Sequence, residues 1–300
     1  MVTKRIRRGR RSYWVSYLMM SPWLLLFALF TLIPITLAAF FSLTYFNILQ
    51  PPRFIGLSNY LRLFLEDDVF LIALKNTLLF AVITGPVGYL LSFVMAWFIN
   101  DFGRFGRSWL TLLFYSPTLA GNVYIIWTFI FNGDSYGILN STLLQFGLIQ
   151  EPIQWLTDPA YNFYVCVVVM LWMSMGTGFL AFVAGFQQLN SSLFEAAAMD
   201  GIRNRWQEMW YVTLPQMAPQ LLIGAVLSIS SAFAVGYQNM ALTGFPSTDY
   251  STHTLVLHIM DYGNLRFEMG YACAIAVVLF LLMQVVWKLT NRVLSRLSDD

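Results

Sequence analysis

The chain reads as an all-α integral membrane protein with one domain and six membrane-crossing helices. Three observations carry that reading. Apolar residues make up 58% of the 300 and charged residues only 11%, against roughly 25% charged in an ordinary soluble domain. Six stretches hold no Asp, Glu, Lys or Arg: residues 12–52, 76–100, 108–133, 159–194, 209–248 and 269–287. A helix crosses the hydrocarbon core with about 20 apolar residues, so each stretch has room for one crossing. The basic residues also alternate from side to side, with thirteen of the 17 Lys and Arg on one predicted face.

Taken in order, the expected helices are 16–46, 77–100, 108–131, 161–186, 219–243 and 269–290. A basic tail covers 1–15, the spanning domain 16–290, and a second tail 291–300. The first helix begins near Pro22 and is long enough to tilt or to kink at Pro34. Its apolar run far exceeds the roughly 7–15 residues of a signal-peptide core and has no clean small-x-small site, so it is expected to stay as a span. Lys4, Arg5, Arg7, Arg8, Arg10 and Arg11 precede it. Arg104 and Arg107 follow the second helix, Arg203 and Arg205 the fourth, and Lys288, Arg292 and Arg296 the sixth. The opposite face holds Arg53, Arg62, Lys75 and Arg266. Both termini are therefore expected in the cytoplasm. The net charge of +2 is the remainder of this asymmetry and implies no nucleic-acid partner. Cys166 and Cys273 fall inside expected helices without ligand-like spacing and read as small core residues.

Two absences narrow the function. None of Lys4, Lys75 and Lys288 follows a glycine, so the chain has no phosphate-binding loop and no route of its own to ATP. The expected spans also carry no ionisable residue at mid-membrane, which argues against a proton relay. A sodium site made of backbone and hydroxyl oxygens stays open, and with it an ion-gradient-driven secondary transporter as the alternative. If transport is energised by ATP, the energy must arrive through a surface contact.

The polar island between the fourth and fifth stretches is the candidate surface. Ser192 can cap a short helix, with Glu195 three residues on returning the hydrogen bond. Ala196, Ala197 and Ala198 favour the helix and leave it smooth. Gly201 suits a left-handed stop. Trp206, Met209, Trp210 and Val212 then form an apolar face, ended by Pro215 and Pro219. The residues alone fit two readings equally: a helix for a partner's groove, or a connection resting on lipid headgroups.

The run Glu195-Ala-Ala-Ala-Met-Asp200-Gly201, with Leu214-Pro215 and Pro219, resembles the EAA loop (190–219) of binding-protein-dependent ABC importer permeases. The carbohydrate branch, the maltose and glycerol-phosphate permease type, is resembled by Phe54-Ile-Gly56-Leu-Ser-Asn59-Tyr60, by Trp172, and by Gly270-Tyr271-Ala272-Cys-Ala274-Ile-Ala276. The resemblance covers essentially the whole chain. It implies a maltose-permease-like fold in a bacterial cytoplasmic membrane, with Glu195, Ala196, Ala197, Asp200 and Gly201 in a coupling helix seated in an ATPase cleft. Ile202 departs from the alanine usual there. The implied partners are a second homologous permease, two copies of an ATP-binding subunit, an extracytoplasmic solute-binding protein and a saccharide. The chain itself would be non-catalytic and hold no cofactor or metal, ATP and Mg²⁺ being used by the partner ATPase.

Sugars need amides, hydroxyls and flat aromatic faces near mid-membrane. Trp172, Ser174 and Thr177 in the fourth span, Ser231, Tyr237, Gln238 and Asn239 in the fifth, and Asn122 in the third supply them. Close packing of helices would explain the same residues without a substrate. The segments 47–75, 132–160 and 244–268 are expected to form a polar external roof, with Glu66, Asp67 and Asp68 in it and His253 and His258 solvated and unpaired with any metal.

Overall fold

A computed structural model describes the backbone of residues 11–299 and the side chains of residues 14–292. Lys4, Arg5, Arg7, Arg8 and Arg10 of the expected tail, and the side chains of Arg11 and Arg296, lie outside the described residues.

The first crossing is α1 (Arg11–Phe27), a wide π-type turn at Ala28–Leu32, and α2 (Ile33–Phe41). Pro34 sits in the first turn of α2, directly after that turn, where its missing N–H costs least. Nothing in the most apolar part of Trp14–Phe41 is buried. A helix apolar all round and bare of neighbours is suited to lipid or to a partner, not to water. Its α2 end leans on the last helix.

A two-residue ribbon follows, β1 (Thr44–Tyr45) antiparallel to β2 (Arg53–Phe54), and then α3 (Ser58–Leu65). Here two of the quoted motifs acquire structural work. Asn59 is buried and its Nδ2 donates to the carbonyls of Ser42 and Thr44 at 2.8 and 2.9 Å. Gly270 donates its N–H to the Phe46 carbonyl, and a Cβ there would lie 2.1 Å from the Thr44 carbonyl oxygen. Only glycine lets the last span approach the ribbon so closely.

The central helix is α4 (Asp68–Asn100), 33 residues long or about 50 Å. It starts nine residues before the predicted 77 because Asp67 caps it, accepting from the Phe70 N–H at 2.9 Å. The stretch expected as the third span is interrupted: α5 (Arg104–Leu119) ends where Ala120 turns extended, and α6 (Ile125–Ile130) resumes after five residues. After α7 (Ile138–Gln145), the fourth is α8 (Pro159–Met173) and α9 (Thr177–Gln187), parted only at Ser174–Gly176. Next come α10 (Ser191–Met199), α11 (Arg205–Glu208), a π-type turn Met209–Thr213 and α12 (Leu214–Gln216). The chain then bends by 82° into α13 (Ala218–Phe233), where Pro219 opens the new helix. The expected fifth span stops at Phe233, not 243; Gly236, where an added Cβ would lie 2.6 Å from Val256 Cγ1, precedes the short α14 (Tyr237–Thr243). Last are α15 (Leu255–Met260) and α16 (Met269–Asp299).

Among the described residues, four helices are long and apolar enough to cross a membrane, or five if the bent pair counts as one. The expectation of six spans is thus met only in part.

The core follows from α4, which packs against α9, α13 and α8. Phe93, Ile99, Phe179, Phe182, Phe186 and Met217 fill the centre, with Phe182 edge-on to both Tyr89 and Phe93. Truncating a buried ring of this kind costs about 3–5 kcal/mol. A second core of Leu63, Phe70, Leu255, Tyr262, Tyr271 and Ile275 sits under a cap built from residues 44–68 and 245–268. Polar straps hold that cap: Asn76 Nδ2 donates to the carbonyls of Tyr250 and His253, and Asn162 Nδ2 to Ser251 Oγ. The predicted polar roof therefore has an ordered interior of its own.

Candidate functional site

Where α8 breaks and α9 begins, a cavity of about 380 Å³ opens between α4, α5 and α13. Thr84, Gly88 and Tyr89 enter it from α4, Tyr115 and Thr118 from α5, and Met170, Met173, Ser174, Gly176, Thr177 and Gly178 from the break and its two flanks. Leu227, Ser228, Ser231 and Ala232 come from α13, with Val235 and Gln238 beyond it. The break itself explains the polarity: Gly176, without a side chain, starts α9 uncapped, so the first N–H groups of that helix have no partner within the helix. Four of the eight lining hydroxyls donate backward to their own helix: Thr84 to Phe80, Thr118 to Tyr115, Ser174 to Leu171 and Ser231 to Ser228. Their oxygens keep lone pairs for an incoming O–H. The lining thus offers acceptor oxygens, backbone donors and the Gln238 amide in one place.

Of the residues predicted for a pathway, Ser174, Thr177, Ser231 and Gln238 share this cavity. The other four lie outside its lining. Trp172 packs edge-on to Trp127 at 5.4 Å, and Tyr237 edge-on to Tyr124, whose hydroxyl donates to Asn122 Oδ1. Asn239 is fully buried and ties the cap, its Nδ2 donating to the Thr252 carbonyl at 2.9 Å. Its amide, expected in the substrate path, finds its partner in the protein's own backbone. Tyr89, Tyr115, Thr84 and Thr118 were missed. Their only sequence signal is a hydroxyl in a charge-free stretch, which packing explains equally well.

A second feature stands at the end of α9. Three residues on, α10 projects with Glu195, Ala196, Ala198, Asp200 and Gly201 exposed, while Ala197 turns inward. The predicted Ser192 cap is displaced: Asn190 is the cap, and its Oδ1 accepts from the Ser192 N–H that Glu195 would have used. Gly201 adopts φ +94. The Ile202 and Gly201 N–H groups donate back to Ala197 and Ala198, the double bond that closes a helix at a left-handed residue. Beyond it, Arg205 pairs with Asp101 at the end of α4, and Trp206 packs on Trp97 at 5.3 Å. The connection after α10 is thereby fastened to the central helix.

The third feature corrects an expectation. His253 and His258 are not solvated; each is only 1% exposed. Five apart in an expected external loop, they give no sign of a partner in sequence, yet His253 Nε2 lies 3.3 Å from His258 Nδ1. His258 Nε2 lies 3.0 Å from Asp67 Oδ2, which also accepts from the Tyr271 hydroxyl at 2.7 Å. Burial pushes the Asp67 carboxyl up, but hydrogen bonds from His258, Tyr271 and Phe70 outweigh it and hold the group well below the usual carboxylate range. Burial, with the neighbouring His258, pushes the His253 imidazole down to about 4.

The sign gives a testable result. Folded His253 stays neutral where the unfolded residue, with an ordinary value of 6.5, is already charged. Stability should therefore fall as pH drops from about 6.5 to 4, by roughly 3 kcal/mol at most. Asp67 adds a loss only below its ordinary 3.8. Melting temperature of the detergent-purified protein should decline between pH 7 and 5, and His253→Gln should flatten that decline.

Comparison with known proteins returns a consistent set. Residues 88–297 match the family model described as binding-protein-dependent transport system inner membrane component. The chain is 30% identical over 285 residues to the lactose transport system permease protein LacF of Rhizobium radiobacter, covering 92% of this chain and 93% of that one. It is 31% identical over 274 residues to the arabinooligosaccharides transport system permease protein AraP of Bacillus subtilis, covering 90% and 85%. In a crystal structure of a bacterial alginate ABC transporter, in complex with its alginate pentasaccharide-bound periplasmic protein, one chain superposes with a TM-score of 0.78 at 22% identity. That match covers 98% of this chain and 99% of that one.

Proposed function

The chain belongs to the family of binding-protein-dependent transport system inner membrane components, and from that premise we propose how it works as a permease subunit of an ATP-driven sugar importer. Relatives that match along nearly their whole length are permeases of lactose and arabinooligosaccharide systems. None of them points to the ion-gradient alternative.

One observation carries the mechanism: α9 joins the cavity to the exposed α10. Thr177 and Gly178 line the cavity at the start of α9, and α10 begins four residues after α9 ends. α9 has 11 residues, about 16 Å of rigid rod. A displacement of α10 is thereby delivered to the cavity wall with little loss. The Arg205–Asp101 pair and the Trp97–Trp206 contact give the same movement a second path into α4, which lines the other wall.

In this reading α10 is the coupling helix. Glu195 and Asp200 meet polar groups of an ATP-binding subunit, Ala196 and Ala198 lie against its apolar wall, and Gly201 sets the turn. ATP and Mg²⁺ are handled by two copies of that subunit, and this chain breaks and makes no bonds. The interrupted α5–α6 and α13–α14 complete six crossings, with both termini in the cytoplasm. The bare α1 and the open cavity side face lipid and a second permease. The cap receives a solute-binding protein, and closure of the ATPases switches the path from inward- to outward-facing.

Reconstitution tests this directly. Proteoliposomes holding both permeases, the ATPase and the binding protein should take up sugar only with ATP inside the ATPase compartment. The purified chain alone should move none under a sodium or proton gradient; uptake there would overturn the reading. Gln238→Leu and Thr177→Val should each lower sugar uptake about tenfold, the equivalent of one lost hydrogen bond of about 1.4 kcal/mol. Basal ATP hydrolysis should persist in both variants.

A further inference from the structure

We propose that the cavity is built for an uncharged saccharide and rejects anionic sugars; this rests on the sugar-importer reading above. Not one of the lining residues is Asp, Glu, Lys, Arg or His. Six polar side chains carry the argument: Tyr115, Thr118, Thr177, Ser228, Ser231 and Gln238. All are neutral hydrogen-bonding groups matched to hydroxyls, which both donate and accept. A carboxylate or phosphate brought to this depth would leave water without meeting a guanidinium or ammonium, and an unpaired buried charge is far costlier than a buried hydroxyl.

Four of the described cations are engaged elsewhere. Arg107 donates to Asn100 at the far end of α4, and Arg205 is paired with Asp101. Arg62 is engaged with Glu268 and lies over the Tyr271 ring at 4.4 Å, and Arg266 is paired with Asp261. None of these lines the cavity.

The one element that favours negative charge is the uncapped start of α9, equivalent to about half a positive charge. In transporters such half-helix starts can meet a carboxylate. Here its neighbours supply acceptor oxygens rather than donors: Ser174, Ser231 and Thr118 already give their protons to carbonyls. Lone pairs on three sides oppose an anion and suit a sugar hydroxyl. The superposed chain of the alginate importer shares the fold while serving an acidic polysaccharide, so the charge of the cargo is not set by the fold.

The test uses the complete importer in two assays. Lactose, arabinotriose and maltotriose serve as neutral probes, with trigalacturonate and lactose phosphate as anionic ones. Equilibrium binding to the assembled transporter without its binding protein isolates the cavity from the delivery step. At least one neutral probe should bind about 50-fold more tightly than any anionic one, and ATP-dependent uptake should follow the same order. Anionic sugar bound and transported as well as neutral sugar overturns this inference while leaving the sugar importer intact. ATP-dependent uptake of neither kind overturns both. A Ser231→Arg variant that gains affinity for trigalacturonate, against unchanged or weaker lactose binding, supports the account through charge alone. A variant that gains none counts against it.

Discussion

Glu195→Lys combined with Gly201→Val is expected to leave less than about 1% of ATP-driven uptake and to release the co-purifying ATPase from the membrane complex. Two independent losses make the effect large. Gly201 stands at φ +94, where a β-branched side chain is strained by roughly 1–3 kcal/mol. Valine would force the chain out of that conformation, and the bonds from Ile202 and Gly201 back to Ala197 and Ala198 would go with it. The end of α10 would then present its exposed side chains along a different line. Glu195 is exposed on the same short helix, and reversing its charge sets like against like wherever the partner offers basic groups. Together these exceed about 2.7 kcal/mol, or a hundredfold. Sugar binding to the cavity should survive, since neither residue lines it. Copy number in the membrane should stay near normal, because both side chains lie outside the packed core. Retained ATPase and retained uptake together would remove α10 from the coupling role.

What the sequence made legible follows from which forces are local. Charge-free stretches located the helices because hydrocarbon depth demands apolar residues over a fixed length. They could not locate the interruptions. Leu119 to Ile125 and Phe233 to Tyr237 lie inside charge-free stretches, and the break at each lies in backbone dihedrals that a count of charges does not register. The left-handed stop at Gly201 was readable from the residue itself. The cap of α10 was not, because Asn190 and Ser192 are both good caps and only the path from α9 chooses between them. Ser174, Thr177, Ser231 and Gln238 could be proposed from chemistry, whereas their meeting in one cavity depends on α4, α9 and α13 packing side by side. Asn239 shows the opposite failure: a buried amide signals that a partner exists, and its identity as the Thr252 carbonyl is a matter of tertiary structure. The histidines were misjudged for the same reason, since the carboxylate that engages His258 is 191 residues away in sequence.

That carboxylate is where the largest loss of stability is expected. Asp67→Ala should lower the melting temperature of the purified protein by about 10 °C, and with it uptake that depends on the solute-binding protein. The side chain does three jobs at once. It caps α4 through the Phe70 N–H, accepts the Tyr271 hydroxyl at the start of α16, and faces His258 Nε2 inside the cap. Removing a cap costs about 1 kcal/mol, and leaving the Tyr271 hydroxyl and His258 Nε2 without their acceptor about 1–3 kcal/mol each. A few degrees per kcal/mol then gives the expected shift. The costs act on one network and need not add, so graded substitutions separate them. Asp67→Asn keeps an acceptor for Phe70 but sets an amide NH2 where Oδ2 accepts from Tyr271, and should sit between wild type and alanine. Tyr271→Phe removes a single hydrogen bond, worth about 1 kcal/mol. The acid sensitivity between pH 6.5 and 4 should persist in Tyr271→Phe, because His253 and His258 remain buried together. It should diminish in Asp67→Ala, because the cap that buries the two rings loosens and the folded imidazole regains access to water. Should alanine at 67 melt like the wild type, the carboxylate does not hold α4, α16 and the cap together, and their mutual packing through Leu63, Phe70 and Ile275 would have to suffice.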